Sequence, residues 1–225
     1  MRRADRLPLE QLQPYLLAPP WSEVSGADHP EPLRVNWSEV FGNDHPVEIE
    51  VGFAKGLFLL NASQAHPEVN FVGIEILRKF QLYAATRFAK RHLCNVRVMC
   101  TDARAFFHHH VGDASVQAIH IYFPDPWWKK RHHKRRIFTP AFVADCARIL
   151  WPGGYLHIVT DVGEYAQLIR EMVAGHPVLV AQPPPEASEP AHDLDYLTNF
   201  ERKFRKQGRA IHRMCYRCQA ARTSA

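Results

Sequence analysis

The sequence predicts an α/β fold with a mostly parallel central sheet, helices on both faces and an antiparallel strand at the C-terminal edge. Two observations carry this expectation. Between residues 46 and 175 short β-rich runs alternate with longer helical stretches, enough for five strand–helix units. Each β-rich run also ends on an acid or close to one, at the sheet edge where open α/β folds take their ligands.

The elements follow in order. Residues 1–45 are rich in proline and polar side chains, with a helical turn or two around Leu9–Gln13, and much of the segment is expected to be mobile. Residues 1–36 read as an N-terminal extension and 37–225 as the main domain. Val47–Val51 alternates acidic and apolar residues up to a glycine and predicts a strand, followed by a helix over Leu57–Gln64. Asn70–Ile74 and Val96–Cys100 read as strands, each with a helix after it (Leu77–Arg91 and Ala103–His110). Val116–Tyr122 is a strand that runs directly into Phe123-Pro124. Pro140–Leu150 is an amphipathic helix, Pro152-Gly153-Gly154 a turn, Tyr155–Val159 a strand and Tyr165–Ala174 a helix. Residues 182–195 are proline-rich and acidic and predict a surface loop; 209–218 have the character of an antiparallel edge strand.

Composition narrows the function classes. The chain has 225 residues, 46% of them hydrophobic, enough for one domain with a real core. It carries 28 Lys and Arg against 23 Asp and Glu. Six of these cations crowd into 129–136, and without them 22 basic side chains face 23 acidic ones. Charge gathered in one place predicts a binding face. Five cysteines lack framework spacing. Cys94, Cys100 and Cys146 read as buried thiols, and the lone C-x-x-C at Cys215–Cys218 lacks the second pair that a zinc site needs. No metal site is expected. His108–His110 read as a solvated helix end. No apolar stretch is long enough to cross a membrane, and a reducing cytoplasm is the expected location.

The most informative segment is F-P-D-P-W-W-K-K-R-H-H-K-R-R at 123–136. Prolines on both sides of Asp125 fix φ and remove two backbone donors, so a stiff loop is expected. It would present one carboxylate, flat aromatic surface and a dense positive field, which suit an electron-rich base on a phosphate backbone. Either Trp127 or Trp128 could stack on a base or pack the loop.

The strand ends outline a nucleoside site. Gly52 and Gly56 allow a tight turn after the first strand. Glu75 ends the second strand, where a carboxylate accepts from both ribose hydroxyls. Asp102-Ala103 follows the third strand, Asp125 the fourth and Asp161 the fifth; Asp102 and Asp161 also fit as helix caps. The glycine spacing is not that of a dinucleotide fold, and Glu50 would repel a pyrophosphate. A cationic nucleoside such as S-adenosylmethionine suits this acidic set.

On these residues the chain resembles the bacterial tRNA (guanine-N7-)-methyltransferase family, from about Trp37 to Arg217. Phe123–Arg136 meets that family's F-P-D-P-W-x-K-x-R-H-x-K-R-R motif in full. Its E-I-G-F-G-x-G motif stands here as E-V-G-F-A-K-G, its F-x-G-I-E as Phe71–Glu75, its N-V-R-x-x-x-x-D-A as Asn95–Ala103, and its late T-K-F-E as Thr198–Glu201. P-G-G and T-D stand as Pro152–Gly154 and Thr160-Asp161. The resemblance implies a Rossmann-like class I methyltransferase that moves a methyl group from S-adenosylmethionine to N7 of a guanine in the tRNA variable loop. It implies cofactor contacts from Glu50, Gly52, Gly56, Glu75, Asp102, Ala103 and Asp125, with Asp125 also the catalytic carboxylate. Lys129 and Asp161 would contact substrate. Arg131, His132, Lys134, Arg135 and Arg136 would grip RNA, and Thr198, Asn199, Phe200 and Glu201 would help hold the target nucleotide. No obligate protein partner is implied, and a monomer or a homodimer fits. Ala54 stands where the family has glycine and Asn199 where it has lysine. These departures motivate one alternative, an RNA-binding protein on a methyltransferase scaffold that does not catalyse.

Overall fold

The computed structural model describes residues 6–17, 33–186, 189–192 and 194–220. It divides into two compact units, residues 1–112 and 113–225. In the first unit three strands lie parallel in the order β3-β2-β1. They are β1 (Val47–Val51), β2 (Asn70–Glu75) and β3 (Val96–Cys100). Every residue of β2 is buried, the signature of a strand covered on both faces. The helices are α1 (Leu9–Leu12), α2 (Trp37–Phe41), α3 (Leu57–Ala65), α4 (Arg78–Ala89) and α5 (Ala103–His110).

One glycine sets the depth of this packing. A Cβ at Gly73 would lie 2.5 Å from Leu59 Cδ1 and 2.6 Å from Phe53 Cδ1. Only a bare backbone lets α3 and the turn before it settle onto β2. The N-terminal segment closes the same core. Leu12 is fully buried in a cluster with Leu59, Phe71, Phe88 and Val98, and the Leu17 amide donates to the Val98 carbonyl at 3.0 Å. Residues 6–17 are therefore part of the packed unit. For residues 1–5 and 18–32 the expectation of mobility lies outside the described residues.

The second unit has the strand order β4-β5-β7-β6. β4 (Val116–Tyr122) and β5 (Leu150–Thr160) are parallel, and β7 (His212–Cys218) runs antiparallel to both β5 and β6 (Leu179–Gln182). The expected antiparallel strand thus exists, but it is interior to this half. The edge is β6, too short at four residues to stand out in the sequence. The helices are α6 (Pro140–Ile149), α7 (Gly163–Ala174) and α8 (Asn199–Lys206). Thr139 caps α6, its hydroxyl accepting from the Phe142 amide, with Pro140 at the first helical position. The expected turn at Pro152–Gly154 is instead part of β5. The register slips there, between Val116 and Ala118 of the partner strand, and Gly153 takes φ +94°. A bulge absorbs what reads in the sequence as a turn. The thiols also differ from expectation. Cys146, Cys215 and Cys218 are buried, whereas Cys94 is exposed and Cys100 half-buried. No described helix is long and apolar enough to cross a membrane.

Truncating Leu12→Ala should cost about 2–5 kcal/mol in urea denaturation, the usual range for a deleted core leucine. A cost near zero would place the N-terminal segment outside the cooperative unit.

Candidate active site

The first unit builds an acidic site at the carboxyl ends of β1 and β2. The turn from Gly52 to Gly56 has three residues in the left-handed region: Gly52 (φ +78°), Ala54 (φ +47°) and Gly56 (φ +63°). Ala54 thus adopts the conformation a glycine takes freely, at a cost of about 1–2 kcal/mol. The Glu75 carboxylate spans the turn and the start of α4. Oε2 accepts from the Ala54 amide and Oε1 from the Leu77 amide, both at 3.1 Å. Each oxygen keeps a lone pair for a ligand hydroxyl.

Glu50 ends up in a different state. It is buried beside Glu75, and its Oε2 has no hydrogen-bond partner. Burial, and then the Glu75 charge, push its carboxyl up to about 8. An orphaned carboxylate oxygen next to a second carboxylate calls for a cation or a donor. The ammonium of S-adenosylmethionine is such a group and the Glu75 oxygens suit its ribose, so the residues present fit this cosubstrate. Asp102 is committed locally. Its Oδ1 caps α5 by accepting from the Arg104 amide at 2.9 Å, and its Oδ2 pairs with the Arg104 guanidinium at 2.8 Å. That side-chain bond, more than any other influence, lowers its pKa. The cap reading of Asp102 holds, and Ala103 is the buried first residue of α5.

The second unit carries the remaining predicted residues. Phe123–Trp128 leaves β4 as an irregular loop, then Lys130–Arg135 winds into a 3-10 helix rather than continuing as loop. Phe123 and Trp127, on either side of Pro-Asp-Pro, both take positive φ (+55° and +45°). Strain of this kind in non-glycine residues persists only where neighbours enforce it. Here the Phe123 amide donates to the Val159 carbonyl at 2.7 Å, and Arg136 Nε donates to the Pro126 carbonyl at 2.7 Å. The Arg136 guanidinium also lies 5.2 Å over the Tyr165 ring. Burial pushes the Tyr165 hydroxyl up to about 12, so it stays neutral beneath that cation. Between these braces Asp125 is exposed, with no hydrogen bond or ion pair among the described residues.

The two tryptophans divide. Trp127 is covered by Arg135, 5.0 Å over its ring, and by the edge of His132. Trp128 is 62% exposed. Lys129, Arg131 and Lys134 are also exposed.

Asp161 is not a helix cap. It pairs with Arg209 at 2.5 Å, while Thr160 Oγ1 accepts from the Val162 amide ahead of α7. The late motif proves partly structural. Thr198 Oγ1 caps α8 by accepting from the Glu201 amide at 3.0 Å, half of a capping box. Glu201 is buried and paired with Arg213 and, at 3.7 Å, with Arg205; its Oε2 lacks a partner. Asn199 opens α8, half-buried, and Phe200 is 40% exposed with its ring 6.3 Å from Phe123. A cavity of about 180 Å³ lies in this unit, lined by Tyr122, His157, Val159, Glu201 and Arg213. The arginines 104, 205, 209 and 213 that hold the predicted acids went unread in the sequence: Arg209 and Arg213 come from other elements and leave no local pattern, while Arg104 and Arg205 stand two and four residues from the acids they hold.

This is the fold of S-adenosylmethionine-dependent methyltransferases. A 16S rRNA methyltransferase superimposes with a TM-score of 0.61 at 13% identity, covering 82% of this chain and 93% of that one. A SAM-dependent methyltransferase from Aquifex aeolicus does so at 0.52 and 15%, covering 80% and 86%. Residues 44–214 match the family described as "Putative methyltransferase", and the chain belongs to this family, together with bacterial tRNA (guanine-N(7)-)-methyltransferases. That of Rhodopirellula baltica is 44% identical over 174 residues, covering 75% of this chain and 64% of its own, so the match spans just under two thirds of that relative's length. That of Halorhodospira halophila is 34% identical over 226 residues, covering 96% and 93%.

The protonated Glu50 has a consequence. A carboxyl raised in the fold keeps its proton where the unfolded chain has lost it, so stability should fall as pH rises from about 4.5 to about 8. Binding a cation beside it favours the ionised form and should release a proton at pH 7. Calorimetry with S-adenosylmethionine in buffers of different ionisation enthalpy should detect that proton, and Glu50→Gln should remove it.

Proposed function

We propose that the chain transfers a methyl group from S-adenosylmethionine to N7 of a guanine in tRNA. The observation that carries the reading is the Phe123–Trp128 loop. It holds an exposed carboxylate rigidly between two prolines and two left-handed residues, and a turn of six cations follows it.

Guanine N7 has an in-plane lone pair, so no proton must be removed before transfer. When bound, S-adenosylmethionine supplies an electrophilic methyl on a sulfonium; the carbon–sulfur bond breaks as the N7–carbon bond forms. Positive charge moves onto the purine, and Asp125 stabilises it there without moving a proton, an electrostatic role. Glu75 and the Gly52–Gly56 turn hold the ribose side of the donor, and Glu50 holds its ammonium. Alignment of the reacting atoms supplies much of the rate, since positioning alone can be worth roughly 7–11 kcal/mol. In the second unit the cavity beside Glu201 and Arg213 suits a flat base with both donors and acceptors. Lys129, Arg131 and Lys134 reach phosphates, while Arg135 and Arg136 brace the loop that carries Asp125.

Ala54 does not argue for a non-catalytic scaffold, because its amide still reaches Glu75. Asn199 removes a charge at the start of α8 but leaves the Thr198 cap and the buried Glu201 in place. The reading as an RNA-binding protein without catalysis is not favoured.

Asp125→Asn should lower methyl transfer about 10²–10³-fold, the usual loss for one electrostatic partner of a transition state, with cofactor and tRNA binding within a few-fold. The check is nucleoside analysis of unmodified tRNA after incubation with labelled cofactor; undiminished 7-methylguanosine would remove Asp125 from the chemistry. Trp128→Ala should weaken tRNA binding by about 1–3 kcal/mol without altering its salt dependence, and Trp128→Phe should restore most of it. Equal losses in both variants would mean that the ring packs protein instead.

A further inference from the structure

The cationic turn at 129–136 is not the only concentrated positive charge. Residues 198–209 (T-N-F-E-R-K-F-R-K-Q-G-R) hold five basic side chains and a single acid, Glu201. That acid is buried and pairs with Arg213 and Arg205, and Arg205 pairs also with Glu189, so on the helix it is Lys203 and Lys206 that stand exposed. Without these two segments the chain would hold 17 basic and 22 acidic side chains. The body is acidic, and the positive field belongs to two elements of one unit.

We propose that α8 forms a second phosphate-binding track, continuous with the 129–136 turn, for the backbone of the RNA substrate. The inference rests on the tRNA reading above. Three observations carry it. First, the cations are set against one another. Arg202 and Lys206 are four residues apart on one helix, and Lys203 and Lys206 three apart. Such like-charge neighbours oppose helix formation, and a face kept only for solvation carries both signs. The helix dipole favours cations in the last turn, yet Arg202 closes the first.

Second, α8 is anchored to the loop that carries Asp125. The Phe204 ring lies 5.4 Å from that of Phe123, and Phe200 6.3 Å from it. Phe123 is the strained residue that opens the Pro-Asp-Pro segment. The two cationic elements therefore leave from a common aromatic contact. Third, the far end is tied down as well. Arg209 lies 4.7 Å over Phe204 and pairs with Asp161 at the end of β5. Anchoring at both ends fixes the helix, and Lys203 and Lys206 are exposed upon it. An eight-residue helix is about 12 Å long, the span of roughly two phosphates of an extended strand.

The test is tRNA binding by the full chain as a function of salt. Lys203→Gln/Lys206→Gln is the variant of choice, because glutamine keeps helix propensity close to that of lysine. We expect affinity at physiological salt to fall about tenfold, the slope of log K against log salt to become shallower by about one to two, and KM for tRNA to rise in step. S-adenosylmethionine affinity should change less than twofold. Lys130→Gln/Arg131→Gln, in the other element, serves as comparison. If that variant flattens the slope and the α8 variant leaves it unchanged, the second track is overturned while the tRNA reading stands. If the chain binds tRNA with no salt dependence, or not at all, both fall together.

Discussion

The site in the first unit depends on where one carboxylate is held. Glu75 receives one amide from the turn after β1 and one from the start of α4, so it ties the β2–α4 junction to a turn well before it in the chain. Its position follows from Gly73, two residues earlier, which lets Phe53 and Leu59 lie against the strand. The same side chains fix the path of the Gly52–Gly56 turn. Packing and recognition are thus set by one local arrangement. Ala54 shows how strongly it is determined: the turn imposes a left-handed conformation on a residue that disfavours it, and the amide still points at Glu75.

The second unit uses strain where the first uses burial. Phe123 and Trp127 would relax if the loop between them were unbraced. They are held by hydrogen bonds to Val159 and from Arg136, and by arginines lying over Tyr165 and Trp127. A run of basic residues therefore divides into two roles. Arg136, half-buried against Tyr165, and Arg135, exposed but lying over Trp127, build the loop, while Lys129 and Arg131 face solvent. Composition cannot separate these roles, because the sorting depends on which aromatic ring each cation meets.

Much of the architecture was legible in the sequence, because periodicity and punctuation are local. Val47–Val51, Ala103–His110 and Val116–Tyr122 lie within the bounds the pattern gives. The failures are equally specific. Pro152–Gly154 carries a turn signature but continues as a strand, since a bulge against β4 accommodates its glycines. β7 reads as an edge because its partner β6 is four residues long and leaves almost no signal. Cys94 is exposed because it falls between α4 and β3, with Asn95 and His92 beside it. In the site, the acids were legible from their places at strand ends. Whether each is offered to a ligand was not. Asp102 is held by Arg104, two residues on, and Glu201 by Arg213 from another element, whereas Glu50 is left with an orphaned oxygen.

That contrast separates the tasks of the two acids most relevant to a sulfonium donor and a purine acceptor. Glu50 is buried, and burial beside Glu75 pushes its carboxyl up to about 8, so a cation placed next to it would favour its charged form. A permanently ionised carboxylate in that place would destabilise the fold at every pH above its titration. Asp125 is exposed. In the proposed role its requirement is geometric, since it must stand where positive charge builds on the purine as the methyl group transfers. A stiff loop with proline on both sides meets that requirement, and a buried strand end meets the other.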